Sequence, residues 1–207
     1  MLQVIRHVVG IQATNTYLVF NENKEGILID PASHGKALIQ AIEKEGVQLE
    51  AILLTHAHGD HIGALNEVRD HFQVEVYMAQ EEEEVYLNPG LNMAAMMGLE
   101  EPNKKVDHYI KDGEILPFKL GDIKAYLTPG HTPGSMCFLI EDLLFSGDTL
   151  FEGSIGRTDF PGGSLEAMMT SLRKLVSFDD GIRVLPGHGE GTTMEREKRL
   201  NPFLRRL

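Results

Sequence analysis

The sequence predicts a mixed α/β layered domain, on three observations. Short runs of β-branched, aliphatic and aromatic residues closed by Gly, Pro or Asn recur along the whole chain. Between them stand segments with apolar residues three and four apart, the spacing of an amphipathic helix. No repeat, low-complexity tract or linker interrupts the 207 residues, so one core and a single domain over 1–207 are expected.

Taken in order, Gln3 to Val9, Asn15 to Phe20 and Gly26 to Ile29 read as consecutive strands joined by Asn and Gly turns. A helix follows from about His34 to Glu45, with Ala37, Leu38, Ala41 and Ile42 on one face. The run Ala51 to Leu54 is a strand, the segment after it enters a helix carrying Ile62, Leu65 and Val68, and Val74 to Met78 is again a strand. Glu81 to Asn103 has the weakest pattern. Its glutamates Glu81 to Glu84 read as a solvated helix face, and Asn92 to Met97 as core or lid, with a place for the methionines along a substrate cleft as the alternative. Val106 to Ser146 is rich in strands. Ser164 to Val176 reads as a helix opened by a serine cap and the acid Glu166, and a last helix runs from Thr192 to Leu207.

The chemistry is concentrated in Thr55-His56-Ala57-His58-Gly59-Asp60-His61, directly after the strand Ala51 to Leu54. Imidazole and carboxylate suit Zn²⁺, Fe²⁺ and Mn²⁺, and no thiolate joins them. In near-extended chain, residues i and i+2 share a face. His56 and His58 can therefore grip one ion, while Asp60 and His61 point elsewhere, so two ions are indicated. The same grammar of strand, tight turn and ligand-type residue recurs at Thr128-Pro129-Gly130-His131, Ser146-Gly147-Asp148 and Pro186-Gly187-His188. If the four strands lie side by side, their ends converge on one edge of a sheet. A single histidine at a strand end is usually a hydrogen-bonded loop residue; five histidines and two aspartates in one repeated context make a metal site. His7, His34, His71 and His108 fall outside the grammar and read as surface or capping residues.

Composition narrows the function classes. A net charge of -12 argues against nucleic acid, which needs a basic footprint. Two divalent cations with two aspartates and neutral histidines still leave the centre positive, so a small anionic substrate is compatible. No apolar run approaches the ~20 residues that cross a bilayer, and the charged start lacks a secretory pattern, so a cytoplasmic place without membrane contact is expected. Cys137, alone and inside Met136 to Ile140, reads as a small buried hydrophobe and not as a nucleophile.

The H-x-H-x-D-H motif with its downstream Gly-His, Gly-Asp and Gly-His resembles the metallo-β-lactamase fold superfamily over nearly the whole chain. Thr128-Pro129-Gly130-His131-Thr132-Pro133-Gly134 and Phe145-Ser146-Gly147-Asp148-Thr149-Leu150-Phe151, with Gly156-Arg157, resemble glyoxalase II (hydroxyacylglutathione hydrolase) and its small relatives. The resemblance implies a four-layer αβ/βα sandwich of two mixed sheets with the metals at one edge. It implies His56, His58 and His131 on a first ion, Asp60, His61 and His188 on a second, and Asp148 bridging the two, with Zn²⁺ the expected metal and Fe or Mn the alternatives. It also implies thioester hydrolysis by a metal-bridging hydroxide, available near pH 7 because the metal acidifies its water, with Asp60 orienting the nucleophile. Thr55 and Thr132 are candidate partners for the ligand imidazoles.

Some features depart from glyoxalase II. Only Gly189 to Leu207 follow His188, so no counterpart of the C-terminal domain that contacts glutathione in the full-length enzymes is expected. Ser154-Ile155-Gly156-Arg157 replaces Gly-Cys-Gly-Arg, and Arg157 is left as a candidate for a substrate carboxylate or for an internal pair with Asp159. Gly156-Arg157-Thr158-Asp159 also resembles persulfide dioxygenases, which would use one Fe²⁺ on His56, His131 and Asp148. A β-lactamase is disfavoured by the expected cytoplasmic place and the downstream loops. A metal-binding module without catalysis is disfavoured by the complete ligand set.

Overall fold

The computed structural model describes residues 1–207. Six strands form the first sheet in sequential order: β1 Gln3–Val9, β2 Thr14–Phe20, β3 Glu25–Ile29, β4 Gln48–Leu53, β5 Glu75–Ala79 and β6 His108–Ile110. β1, β2 and β3 pair antiparallel, and β4, β5 and β6 continue in parallel. Between these parallel strands run helix α1 Gly35–Glu45 and then α2 Gly59–Ile62 with α3 Leu65–Phe72; a 3₁₀ turn Gln80–Glu82, α4 Glu83–Leu87 and α5 Pro89–Asn92 follow β5. β7 Ile115–Phe118, β8 Gly121–Leu127, β9 Met136–Ile140 and β10 Leu143–Gly147 form an antiparallel run in the second sheet. After the short hairpin of β11 Leu150–Phe151 and β12 Ser154–Ile155, the chain crosses through α6 Leu165–Val176. It then returns as β13 Arg183–Pro186, parallel to β10, with β14 Thr192–Thr193 at the edge.

Alternation of side chains along the strands builds the layers, because successive residues point to opposite faces. Tyr17, Val19, Ile27, Ile29, Ala51 and Leu53 of the first sheet meet Ile123, Ala125, Phe138, Ile140 and Phe145 of the second in a core between the sheets. Their neighbours Leu18, Phe20, Leu28 and Ile52 face outward against Leu38 and Ile42 of α1 and Leu65 and Val68 of α3. On the far side Cys137, Leu144 and Val184 pack under Met168, Leu172 and Leu175 of α6. Three cores between four layers are the αβ/βα sandwich, as expected. Cys137 is buried in the third of them. No helix is long and apolar enough to cross a membrane.

Several expectations are corrected. The buried stripe of α1 is Leu38, Ile39 and Ile42, while Ala37 is exposed and Ala41 only partly covered, because the larger aliphatic side chains turn toward the sheet. The helix expected through Ile62, Leu65 and Val68 is two helices, parted at Gly63-Ala64. The last helix stops at Leu200 (α7 Met194–Leu200) because Pro202 forces Asn201 into extended backbone; a 3₁₀ turn Leu204–Arg206 follows. The four ligand-bearing strands do not lie side by side. β4 belongs to the first sheet and β8, β10 and β13 to the second, with β9 between β8 and β10.

Candidate metal centre

The ends of β4, β8, β10 and β13 meet where the two sheets face each other, and all seven residues singled out by the motif grammar gather there. His56, His58 and His131 form one cluster and Asp60, His61 and His188 another, the donor atoms within each lying within 4.8 Å of one another. In the first, His58 Nδ1 stands 2.9 Å from His131 Nε2. In the second, His61 Nε2 stands 3.3 Å from His188 Nε2, and Asp60 Oδ2 is 3.2 Å from the same His188 nitrogen. Asp148 lies between them. Its Oδ2 is 3.5 Å from both His131 Nε2 and His188 Nε2, and its Oδ1 is 3.4 Å from His61 Nε2.

The hydrogen bonds behind the rings set which nitrogen faces inward. His131 Nδ1 donates to the Arg157 carbonyl at 2.8 Å and His188 Nδ1 to the Gln12 carbonyl at 3.2 Å, so a proton sits on each Nδ1 and each Nε2 faces the centre. His61 Nδ1 donates to Asp30 Oδ2 at 2.8 Å. Thr55 Oγ1 gives its hydrogen to the same Asp30 oxygen at 2.6 Å, which leaves the hydroxyl to accept from His56 Nδ1 at 3.1 Å. Thr55 therefore supports a ligand-type imidazole as expected. Thr132 does not: its hydroxyl donates to Glu82 Oε2 at 2.7 Å.

This preparation fits a pair of cations. His56 Nε2 and Asp148 Oδ1 are buried and make no hydrogen bond. Buried polar atoms rarely stay unpaired without a ligand to satisfy them. The 2.9 and 3.3 Å separations between facing imidazole nitrogens lie within the span of two donors, each ~2.0–2.1 Å from a common ion. A Cβ on Gly187 would stand 2.3 Å from Asp148 Oδ1 and 2.6 Å from His61 Cε1, so glycine keeps this space open. Asp30, His56 and His61 are also mutually close, but both Asp30 oxygens are occupied by Thr55 N, Thr55 Oγ1 and His61 Nδ1, which makes Asp30 a support and not a third position.

Electrostatics differ between the clusters. Burial and the facing His131 push His58 down to about 3, and burial with the charge of His61 holds His56 well below the usual imidazole range. Both are neutral and ready to donate. Burial also opposes charge on His188, but its bonds to Asp148 and Asp60 outweigh this and lift it to about 9; His61 is raised well above its ordinary value when Asp148 and Asp60 overcome burial. Loading the second cluster near neutral pH therefore displaces protons that the first does not hold. Burial pushes the Asp60 carboxyl up, but His61 and His188 prevail and hold it at about 2, while Thr14 Oγ1 donates to its Oδ2 at 2.9 Å.

A cavity of about 530 Å³ opens over the centre, walled by Met93, Met97, Phe151 and Phe160 beside the histidines and aspartates. Met93 and Met97 thus line the cleft, whereas Met96 is exposed. A second cavity of about 520 Å³, lined by Ile11, Ala32 and Leu99, shares Gln12, Asp60 and Met97 with the first. Arg157 borders the main cavity. Its guanidinium makes two 2.8 Å bonds to Asp159 and lies 3.6 Å from the Phe160 ring centre.

The sequence reading missed three supporting residues. Asp30 ends the run Ile27-Leu28-Ile29 before Pro31, so part of the signal that marked the other sites was present. Thr14 carried none. Glu82 was expected on a solvated face and is instead wholly buried; burial pushes its carboxyl up, against donors from Thr132, Ala57 and Gly134. Outside the centre, His71 and His108 are surface residues paired with Glu43 and Glu75, and His34 precedes α1 as its N-cap. His7 differs, being half-buried in β1 with its Nε2 unpaired.

A four-layer sandwich with two His/Asp donor clusters at the meeting edge of its sheets defines a class of metal-dependent hydrolase. The chain belongs to the metallo-β-lactamase superfamily, whose family model matches residues 9–188. It is 42% identical over 206 residues to the probable metallo-hydrolase YqgX of Bacillus subtilis, covering 96% of each chain. It is 39% identical to the hydroxyacylglutathione hydrolase GloC of Haemophilus influenzae, covering 92% of each. Among solved structures, BLEG-1 B3 metallo-beta-lactamase aligns with a TM-score of 0.92 at 38% identity over 99% of both chains. TTHA1623 in a di-iron-bound form aligns with 0.87 at 36% identity, over 97% of this chain and all of that one.

Proposed function

We propose that the chain hydrolyses thioesters of small 2-hydroxy acids, releasing the hydroxy acid and a thiol. His56, His58 and His131 would hold one divalent ion and Asp60, His61 and His188 a second, with Asp148 available to both and Zn²⁺ the first choice of metal. The observation that carries the reading is the pair of donor clusters sharing Asp148 beneath one open cavity. Such a pair of ions supplies an acidified water at neutral pH and a Lewis acid for the substrate carbonyl. Asp60 is ionised and fixed by Thr14, and would orient such a water. Met93, Phe151 and Phe160 give the acyl group apolar walls that thin the surrounding water. No side chain is needed as nucleophile, and burial pushes the Cys137 thiol up to about 11. Similarity to GloC over nearly the whole chain supports the thioester as substrate.

Arg157 is the only lysine or arginine lining the cavity, and Asp159 already engages it. Recognition of an anionic thiol tail is therefore weak. Lactoyl thioesters of glutathione, of a truncated peptide thiol and of a sugar thiol are expected to be turned over with kcat/KM values within ~10-fold of one another. Oxygen uptake with glutathione persulfide and no thioester turnover would instead favour the mononuclear iron dioxygenase on His56, His131 and Asp148. Turnover of a β-lactam alone would also overturn the proposal.

A further inference from the structure

Glu82 sits in the 3₁₀ turn after β5, in the first sheet's half of the molecule, yet its side chain reaches the loop after β8 in the second. It is fully buried and surrounded by donors alone. Oε1 accepts from Ala57 N at 2.9 Å; Oε2 accepts from Thr132 Oγ1 at 2.7 Å and Gly134 N at 2.8 Å. Ala57 is the residue between His56 and His58, and Thr132 follows His131. One carboxylate therefore clamps the two loops that carry the whole first donor cluster; of the second cluster, Asp60 and His61 follow on the first of these loops, and His188 stands on a loop that Glu82 does not touch. The approach is close: a Cβ on Gly134 would stand 2.3 Å from Glu82 N, so only glycine lets the loops meet there. Ser135 Oγ, 2.8 Å from Thr132 Oγ1, completes the polar group.

We infer that Glu82 is a positioning residue chiefly for the first metal position, holding the His56/His58 loop and the His131 loop at one spacing. The inference rests on the reading of that cluster as a metal position. Two separate loops must otherwise be brought to a common ion at a cost in ordering, and partners behind ligands are commonly worth ~10–100-fold in metal affinity.

Glu82→Gln keeps the shape but turns one acceptor end into a donor facing donors. The test is Zn²⁺ titration of the chelator-stripped protein, with Glu82→Gln placed in a His188→Ala background that isolates the first position and in a His131→Ala background that isolates the second. Affinity is expected to fall ~10–100-fold in the first background and by a clearly smaller factor in the second, where only one of the ligand loops is clamped. Thr132→Val, which removes one of the three donors, should weaken the first position by a smaller factor in the same direction. Equal losses in both backgrounds, or none in the first, would overturn the inference. Absence of Zn²⁺ binding by the His188→Ala protein carrying Glu82 would overturn the metal reading along with it.

Discussion

Asp148→Ala should empty both metal positions and lower kcat/KM for a lactoyl thioester by about 10²–10⁴-fold, equivalent to ~3–5 kcal/mol. The carboxylate reaches His131 on one side and His61 and His188 on the other. Its removal leaves the whole centre with Asp60 as the one remaining anion among the proposed ligands, so two dications would face five neutral imidazoles without a shared counter-charge. Burial pushes the Asp148 carboxyl up, but His61 and the surrounding imidazoles hold it well below the usual range, so it is charged whenever the protein is folded near neutral pH. His188→Ala makes the contrast. His188 is the most exposed of the seven, with 28% of its side chain accessible, and among the proposed ligands it touches only the second cluster and Asp148. It should lose the second ion and keep the first. Metal analysis of both variants beside the thioester assay checks the pair of outcomes, and full metal content with full activity in Asp148→Ala would refute the assignment.

Asp30→Ala should destabilise the metal-free protein by on the order of 3–5 kcal/mol, a large share of a typical folding free energy. Thr55 N, Thr55 Oγ1 and His61 Nδ1 all donate to this buried carboxylate, and its loss strands three polar groups. Asp30 also holds a left-handed backbone at φ 51°, which aspartate and asparagine tolerate better than alanine. Asp30→Asn is therefore the more informative change. It keeps the backbone preference and one acceptor, but presents N–H where an oxygen accepted, so the His61 ring loses its fixed tautomer. Zn²⁺ affinity at the second position should fall ~10–100-fold. Thermal unfolding of the metal-free variants and Zn²⁺ titration measure the two effects separately; an Asp30→Asn protein with unchanged affinity would show that Asp30 does not orient His61.

The parts of this centre legible in the sequence are those encoded locally. His56 and His58 two residues apart, and histidine or aspartate after a strand and a glycine, identify themselves by spacing, and the structure brings all seven to one place. Strand β1 matches its expected limits, and α6 begins, as expected, after the Ser164 cap, whose hydroxyl accepts from Ala167 N. Sheet membership was not legible. β4 and β8 carry the same pattern, and only long-range pairing places one in each sheet. Glu82 was invisible for a related reason. Four consecutive glutamates look alike in composition, and the one turned inward is chosen by the distant N–H groups of Ala57 and Gly134. Asp30, by contrast, ends a strand before a proline, but no glycine turn precedes it as one precedes Asp148, so it stands outside the motif pattern.

A dinuclear centre whose ions serve hydrolysis must carry both ions in the protein as isolated. Metal analysis of the natively purified protein tests it most directly. About two divalent ions per chain, zinc or mixed zinc and iron, are expected. One iron per chain with the Asp60, His61 and His188 position empty would contradict a dinuclear hydrolytic centre.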